Sequence, residues 1–201
     1  MPKLTRDNFS ISEMSECSLA ERMGMDNTPS IAVLENLSAT VTGLERIRAL
    51  LGYPIHVNSG YRCEALEMVL CQSDYSTWCS LNGHAIDCDS WKRYFSTKDH
   101  PRGYAADFTC AQYGSPVDIV RVIQSSAVKF DVCILEGSWV HISFAPEMRC
   151  EVRVKEFDQF GVTVTTPFQP EALDESHYDA KTLASDFLET SRPKRSLGVG
   201  H

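Results

Sequence analysis

At 201 residues with 43% hydrophobic side chains, the chain is long enough for one globular core and a small appendage. A formal charge of −8 removes any global electrostatic case for nucleic acid or an anionic membrane, and neither is expected as a partner. No apolar run approaches the roughly 18 residues of a transmembrane helix, and "MPKLTRDNFSISEMSE" lacks the continuous apolar centre of a secretory signal, so synthesis in the cytoplasm without a signal peptide is expected.

Residues 28–51 carry apolar side chains at Leu34, Leu37, Val41, Leu44, Ile47 and Leu51, a spacing that predicts a helix with one buried face. Asn27 or Thr28 is the expected cap, Pro29 suits the first turn and Gly52 the stop. In "YPIHVNSGYR" (53–62), Ile55 and Val57 alternate as in a short strand before a Ser-Gly turn, and 64–72 reads as a short helix. Residues 73–99 show no sustained period and are read as a long irregular excursion. "AADFTC" (105–110) looks like a buried strand, and 115–127 like a helix with Ser115 as cap and Pro116 at its first position. Residues 130–144 predict two strands joined near Gly137 and Ser138, and 151–168 another strand pair around Asp158–Gly161. From Gln169 the chain turns polar, with one helix predicted in "DAKTLASDFLET" and a basic "SRPKR" after it. Helices and antiparallel strands without βαβ alternation give an α+β class: a small antiparallel sheet, flanking helices, and a site on the sheet face. The division expected is 1–150 as the main domain with an insertion at about 73–99, then 151–201 as a strand pair and a polar docking arm.

The chemistry concentrates in "DHPRGYAADF" (99–108), where His100 and Asp107 flank small residues. Gly103, Ala105 and Ala106 leave room for the backbone to turn both side chains toward one ion. A third ligand is available in "ILEGSWVHISF" (134–144): Trp139, His141 and Ser143 share one strand face, opposite Val140, Ile142 and Phe144. Two imidazoles and a carboxylate give tetrahedral zinc three protein ligands and one open position, the pattern of hydrolytic rather than structural sites. Manganese or iron would accept the same set. Glu136, across the predicted hairpin from His141, is the candidate base, and Arg62 a cation to polarise a carbonyl or hold a substrate carboxylate. "CSLNGHAIDC" offers a rival metal group in Cys79, His84, Asp87 and Cys88, though no CxxC pair supports it. The eight cysteines are expected to be free thiols in a reducing compartment.

The blocks "NFSISEM" (8–14), "DNTP" (26–29), "PIHVNSGYR" (54–62), "HPRGYAAD" (100–107) and "FDVCILEGSWVHISF" (130–144) together resemble the zinc peptidases of the D-alanyl-D-alanine carboxypeptidase type, the M15 group, especially a compact branch common in bacteriophages. The resemblance implies zinc on His100, Asp107 and His141, Glu136 as base and Arg62 on the substrate. It also implies amide cleavage in bacterial cell-wall peptides, by a phage product reaching the wall without a signal peptide. One departure is Lys98, which stands two residues before His100 where the family usually has serine; it would repel the metal or replace a hydrogen bond that orients His100. A second reading belongs to another class, a virion structural or wall-binding protein on the same fold. Its partners would be virion or tail proteins, met through 73–99 and 169–201.

Overall fold

A computed structural model describes residues 8–157 and 163–172. The chain opens with two short helices, α1 (Ile11–Ser15) and α2 (Ser18–Arg22), and a long one, α3 (Ile31–Leu51). Strand β1 (His56–Ser59) follows, then α4 (Glu64–Leu70), α5 (Gln72–Asn82), α6 (Cys88–Phe95) and the single turn α7 (Asp99–Arg102). After β2 (Ala105–Thr109) and α8 (Pro116–Ser125) come β3 (Val132–Glu136), β4 (Trp139–Ser143), β5 (Glu151–Phe157) and β6 (Thr163–Pro167). No helix among the described residues is long and apolar enough to cross a membrane.

The six strands form one sheet in the order β1-β2-β4-β3-β5-β6. It is mixed rather than wholly antiparallel, because β5 runs parallel to β3 while the other neighbours are antiparallel. Asp131 braces the entry to β5. It is 1% exposed, and its carboxylate accepts from the Arg149 backbone N–H (3.1 Å), Nε (2.8 Å) and Nη2 (2.6 Å) just before β5 begins. Residues on both sides of position 150 therefore share one sheet, and Val154 and Phe168 join the main core. The β5–β6 turn and the helix expected in 179–190 lie outside the described residues.

Strand alternation gives the sheet two unlike faces. Ala106, Phe108, Cys133, Leu135, Val140 and Ile142 point into the main core, against Leu37, Leu44 and Ile47 of α3 and Val117, Val120 and Ile123 of α8. Fully burying one such aliphatic side chain contributes about 1.5–3 kcal/mol, so this face dominates the stability. The opposite face carries Asp107, His141, Trp139, Glu136 and Lys155.

Helix α8 has the expected cap: Ser115 Oγ accepts from the Asp118 N–H while the Asp118 carboxylate accepts from the Ser115 N–H. Helix α3 starts later than expected, at a Ser30 cap. Asn27 is engaged elsewhere: its amide donates to the carbonyls of Ser15 (2.8 Å) and Tyr61 (3.2 Å), and its Oδ1 accepts from the Cys63 N–H (2.7 Å).

The excursion at 73–99 is not irregular. It folds as α5 and α6 around a satellite core of Cys71, Tyr75, Cys79, Trp91 and Tyr94. Trp91 meets Tyr75 edge-on at 5.2 Å and donates from Nε1 to Glu64 Oε1 on α4 (2.8 Å). All eight cysteines are unpaired thiols.

A candidate metal centre on the sheet face

Three elements bring the site together. His100 sits on α7, which Gly103 ends in the left-handed conformation (φ 78°), turning the chain directly into β2. A Cβ at Gly103 would lie 2.9 Å from the Val33 carbonyl, so the close pass over α3 also demands glycine. Asp107 then points from β2 to the face opposite the core. Its direct partner across the β2–β4 ladder is His141, which places both side chains on that same face.

His100 Nε2, Asp107 Oδ1 and His141 Nδ1 form a triangle with edges of 3.1, 3.2 and 2.9 Å. Zinc–ligand bonds of about 2.0–2.1 Å in tetrahedral geometry require ligand separations of about 3.3 Å, so the triangle has close to the dimensions of one face of such a site. Among the described residues, no other group of three or more His, Cys, Asp or Glu converges this way.

The protonation pattern also fits a cation. His100 Nδ1–H donates to the Gly60 carbonyl at 2.6 Å, which fixes the tautomer and turns the Nε2 lone pair toward Asp107. Burial, followed by the nearby Arg62 charge, lowers the His100 pKa and favours the neutral ring. Burial alone would raise Asp107, but the imidazoles beside it, with the His141 hydrogen bond and the Arg62 charge among the causes, outweigh it and hold the carboxyl well below its usual range. Burial likewise opposes a charged His141, yet the hydrogen bond and charge of Asp107, with the Glu136 charge, push its pKa up. A neutral imidazole lone pair thus faces an ionised carboxylate at 3.1 Å, with only the His141 proton to share among three converging atoms. A bound cation would satisfy all three.

Arg62 is placed behind the three converging side chains. Its Nη2 donates to Asp107 Oδ2 (2.7 Å), Nε to Ser59 Oγ (3.0 Å) and Nη1 to Glu67 Oε2 on α4 (3.3 Å). Asp107 therefore keeps Oδ1 on the convergence point and Oδ2 on the guanidinium. The segment carrying Arg62 is itself anchored, since Tyr61 N–H donates to the Met14 carbonyl at 2.6 Å and Asn27 holds Tyr61 and Cys63. This gives the blocks at 8–14 and 26–29 a physical role: they seat the loop whose Arg62 orients Asp107.

Glu136 pairs with Trp139 across the hairpin, and Ile134, two residues earlier, pairs with His141. Its carboxylate shares the site face, and Lys155 Nζ of β5 lies 3.9 Å from Oε1. The indole N–H of Trp139 is buried with no acceptor among the described residues. Neither Lys155 nor Glu67 was singled out from sequence; the one detectable signal for Lys155 was its place in the alternating "EVRVKEF".

Lys98 does not reach the ligands. Its ammonium lies 4.1 Å from the centre of the Tyr94 ring, in the satellite core, and burial lowers its pKa. The hydrogen bond that orients His100 is the one its Nδ1–H donates to the Gly60 carbonyl instead. The rival group at 79–88 is dispersed: Cys79 is buried, His84 stacks on Trp78 at 5.0 Å, Asp87 caps α6 through the Ser90 N–H at 2.8 Å, and Cys88 is exposed.

Residues 7–95 match the family model described as Peptidase M15. The match includes Arg62 and Glu67 and ends before His100, so it and the convergence of His100, Asp107 and His141 are separate observations. No curated protein and no solved structure matches the chain.

Proposed function

We propose that this chain, assigned to the M15-type peptidases by residues 7–95, is a zinc-dependent peptidase that hydrolyses amide bonds in bacterial cell-wall peptides. The convergence of His100 Nε2, Asp107 Oδ1 and His141 Nδ1 carries the reading. In this reading the three side chains hold the ion, with Gly60 orienting His100 and Arg62 orienting Asp107. When bound, zinc supplies Lewis acidity toward the scissile carbonyl and makes a nearby water easier to deprotonate. Glu136 accepts the proton from the attacking water and returns it to the amine nitrogen as the C–N bond breaks, so the carboxylate is regenerated each cycle. Trp139 walls the site beside Glu136 and limits its access to bulk water.

The wall-peptide substrate, and a phage origin with action at the wall, draw support from the resemblance of the motif blocks. A virion-docking role would sit beside catalysis.

The test is mass spectrometry of fragments released from purified peptidoglycan by the zinc-loaded protein, with Glu136→Gln as control. Released D-alanine identifies a carboxypeptidase, and newly opened stems or crossbridges an endopeptidase. Glu136→Gln is expected to keep zinc at full stoichiometry and lose turnover. Wild-type protein that releases nothing from several wall types, or a variant as active as wild type, would overturn the reading.

A further inference from the structure

The cation expected to hold a substrate carboxylate, Arg62, has each of its three nitrogens engaged by Ser59, Glu67 and Asp107. Another cation stands on the same face. Lys155 is the register partner of Glu136 across the parallel β3–β5 pair, so its side chain leaves the sheet on the side of the metal site. Its ammonium has two acidic neighbours, Asp74 Oδ2 of α5 at 3.5 Å and Glu136 Oε1 at 3.9 Å. Both distances are long for an N–H···O hydrogen bond, which is normally about 2.7–3.2 Å. The lysine side chain is 32% exposed, so its donors remain within reach of an incoming group.

We propose that Lys155 is the specificity residue that receives a carboxylate of the peptide substrate. The inference rests on reading the site as a peptidase. Lysine suits the task as a compact, three-donor point charge, and its present contacts are weak enough to exchange for a short charge-assisted bond. Lys155 lies two strands from His141 and two residues further along, since Arg153 is the position in register with His141 through Ile134, which puts the backbones about 12 Å apart at the usual spacings. An extended peptide residue spans about 3.3–3.6 Å, so the carboxylate would belong to a residue close to the scissile bond. Asp74 holds the ammonium from the other side, which makes α5 of the insertion the support for this subsite. The carboxylate could be the peptide's C-terminus or an acidic side chain within it.

Three acetylated peptides ending in D-alanyl-D-alanine separate these sources. One has a free C-terminus, one a terminal carboxamide, and one the carboxamide plus a D-glutamate side chain. Affinity for the zinc-loaded full chain is measured by calorimetry, and kcat and KM by product release. The wild type is expected to favour one carboxylate-bearing peptide over the plain carboxamide by about tenfold, mainly in affinity and KM. Lys155→Met should collapse that ratio to about one, and Lys155→Arg should restore most of it. An equal loss on all three peptides would instead make Lys155 a support for Glu136 and overturn the proposal. So would an unchanged ratio, or no binding of any peptide. Binding with the expected ratio but no cleavage would sustain the carboxylate subsite while the peptidase reading fails.

Discussion

Replacing Arg62 by methionine keeps most of the side-chain volume and removes the one cation shared by Asp107 and Glu67. Both carboxylates are poorly exposed, at 11% and 5% of their side-chain surface. Breaking a buried ion pair by deleting one partner costs about 3–5 kcal/mol, because the remaining charge is left without compensation. The two orphans differ. Asp107 keeps its hydrogen bond to His141 and, on the proposed reading, would gain a counter-charge from a bound metal, whereas Arg62 is the only salt-bridge partner of Glu67 among the described residues. Urea unfolding of metal-free Arg62→Met should therefore show a loss of about 3 kcal/mol with an unchanged m-value. The double variant Arg62→Met/Glu67→Gln should regain about 1–2 kcal/mol over the single one, by removing the orphaned charge. A single variant within 1 kcal/mol of wild type would refute the assigned role. So would a double variant as unstable as the single.

A Cβ at Gly60 would lie 2.2 Å from the Met14 carbonyl oxygen, a backbone atom that cannot swing away. Gly60→Ala should displace the carbonyl that orients His100 and weaken zinc binding about 10–100-fold in a chelator competition; unchanged affinity would count against it. Asp131→Asn should cost about 2–3 kcal/mol at neutral pH, since Arg149 hydrogen bonds hold that carboxyl below its usual pKa. A depressed pKa gives stability that is present above the unfolded value and lost on acidification, so this difference should shrink as pH falls below about 3.9. Denaturation across a pH series reads it, and a gap that widens in acid contradicts the sign. Trp91→Ala should cost about 3 kcal/mol locally. Hydrogen exchange should quicken across 72–95 and leave β2 and β4 protected, and uniform loss of protection would show that the insertion has no separate core.

Features with a local cause were legible in the sequence. The apolar period of α3, the cap at Ser115 and the alternation of "SWVHISF" each follow from neighbours a few residues apart, and so does the side of the strand that His141 leaves. The insertion was not, because each of its helices buries only two or three side chains, among serines and aspartates that dilute the period. Helix α3 begins after Asn27 because that side chain is needed by Ser15, Tyr61 and Cys63, demands that no window around residue 27 contains. The parallel β3–β5 pairing brings together distant strands, with Asp131 meeting Arg149 at its entry 18 residues on. The place of Arg62 behind Asp107 joins positions 45 residues apart, which a motif can suggest but no local pattern can orient.

The ladder that sets His141 opposite Asp107 has a consequence for the order of events in assembly. The ligand contacts span very different sequence distances: His100 and Asp107 are 7 residues apart, Asp107 and His141 34, and His100 and its orienting carbonyl 40. A nascent or unfolded chain therefore offers metal one short-range pair and little more. A slip of one residue between β2 and β4 would turn His141 into the apolar core. On the proposed reading, metal capture would wait for β1, β2 and β4 to close in register, and would arrive as a late, all-or-none sign that the slow long-range pairings are complete.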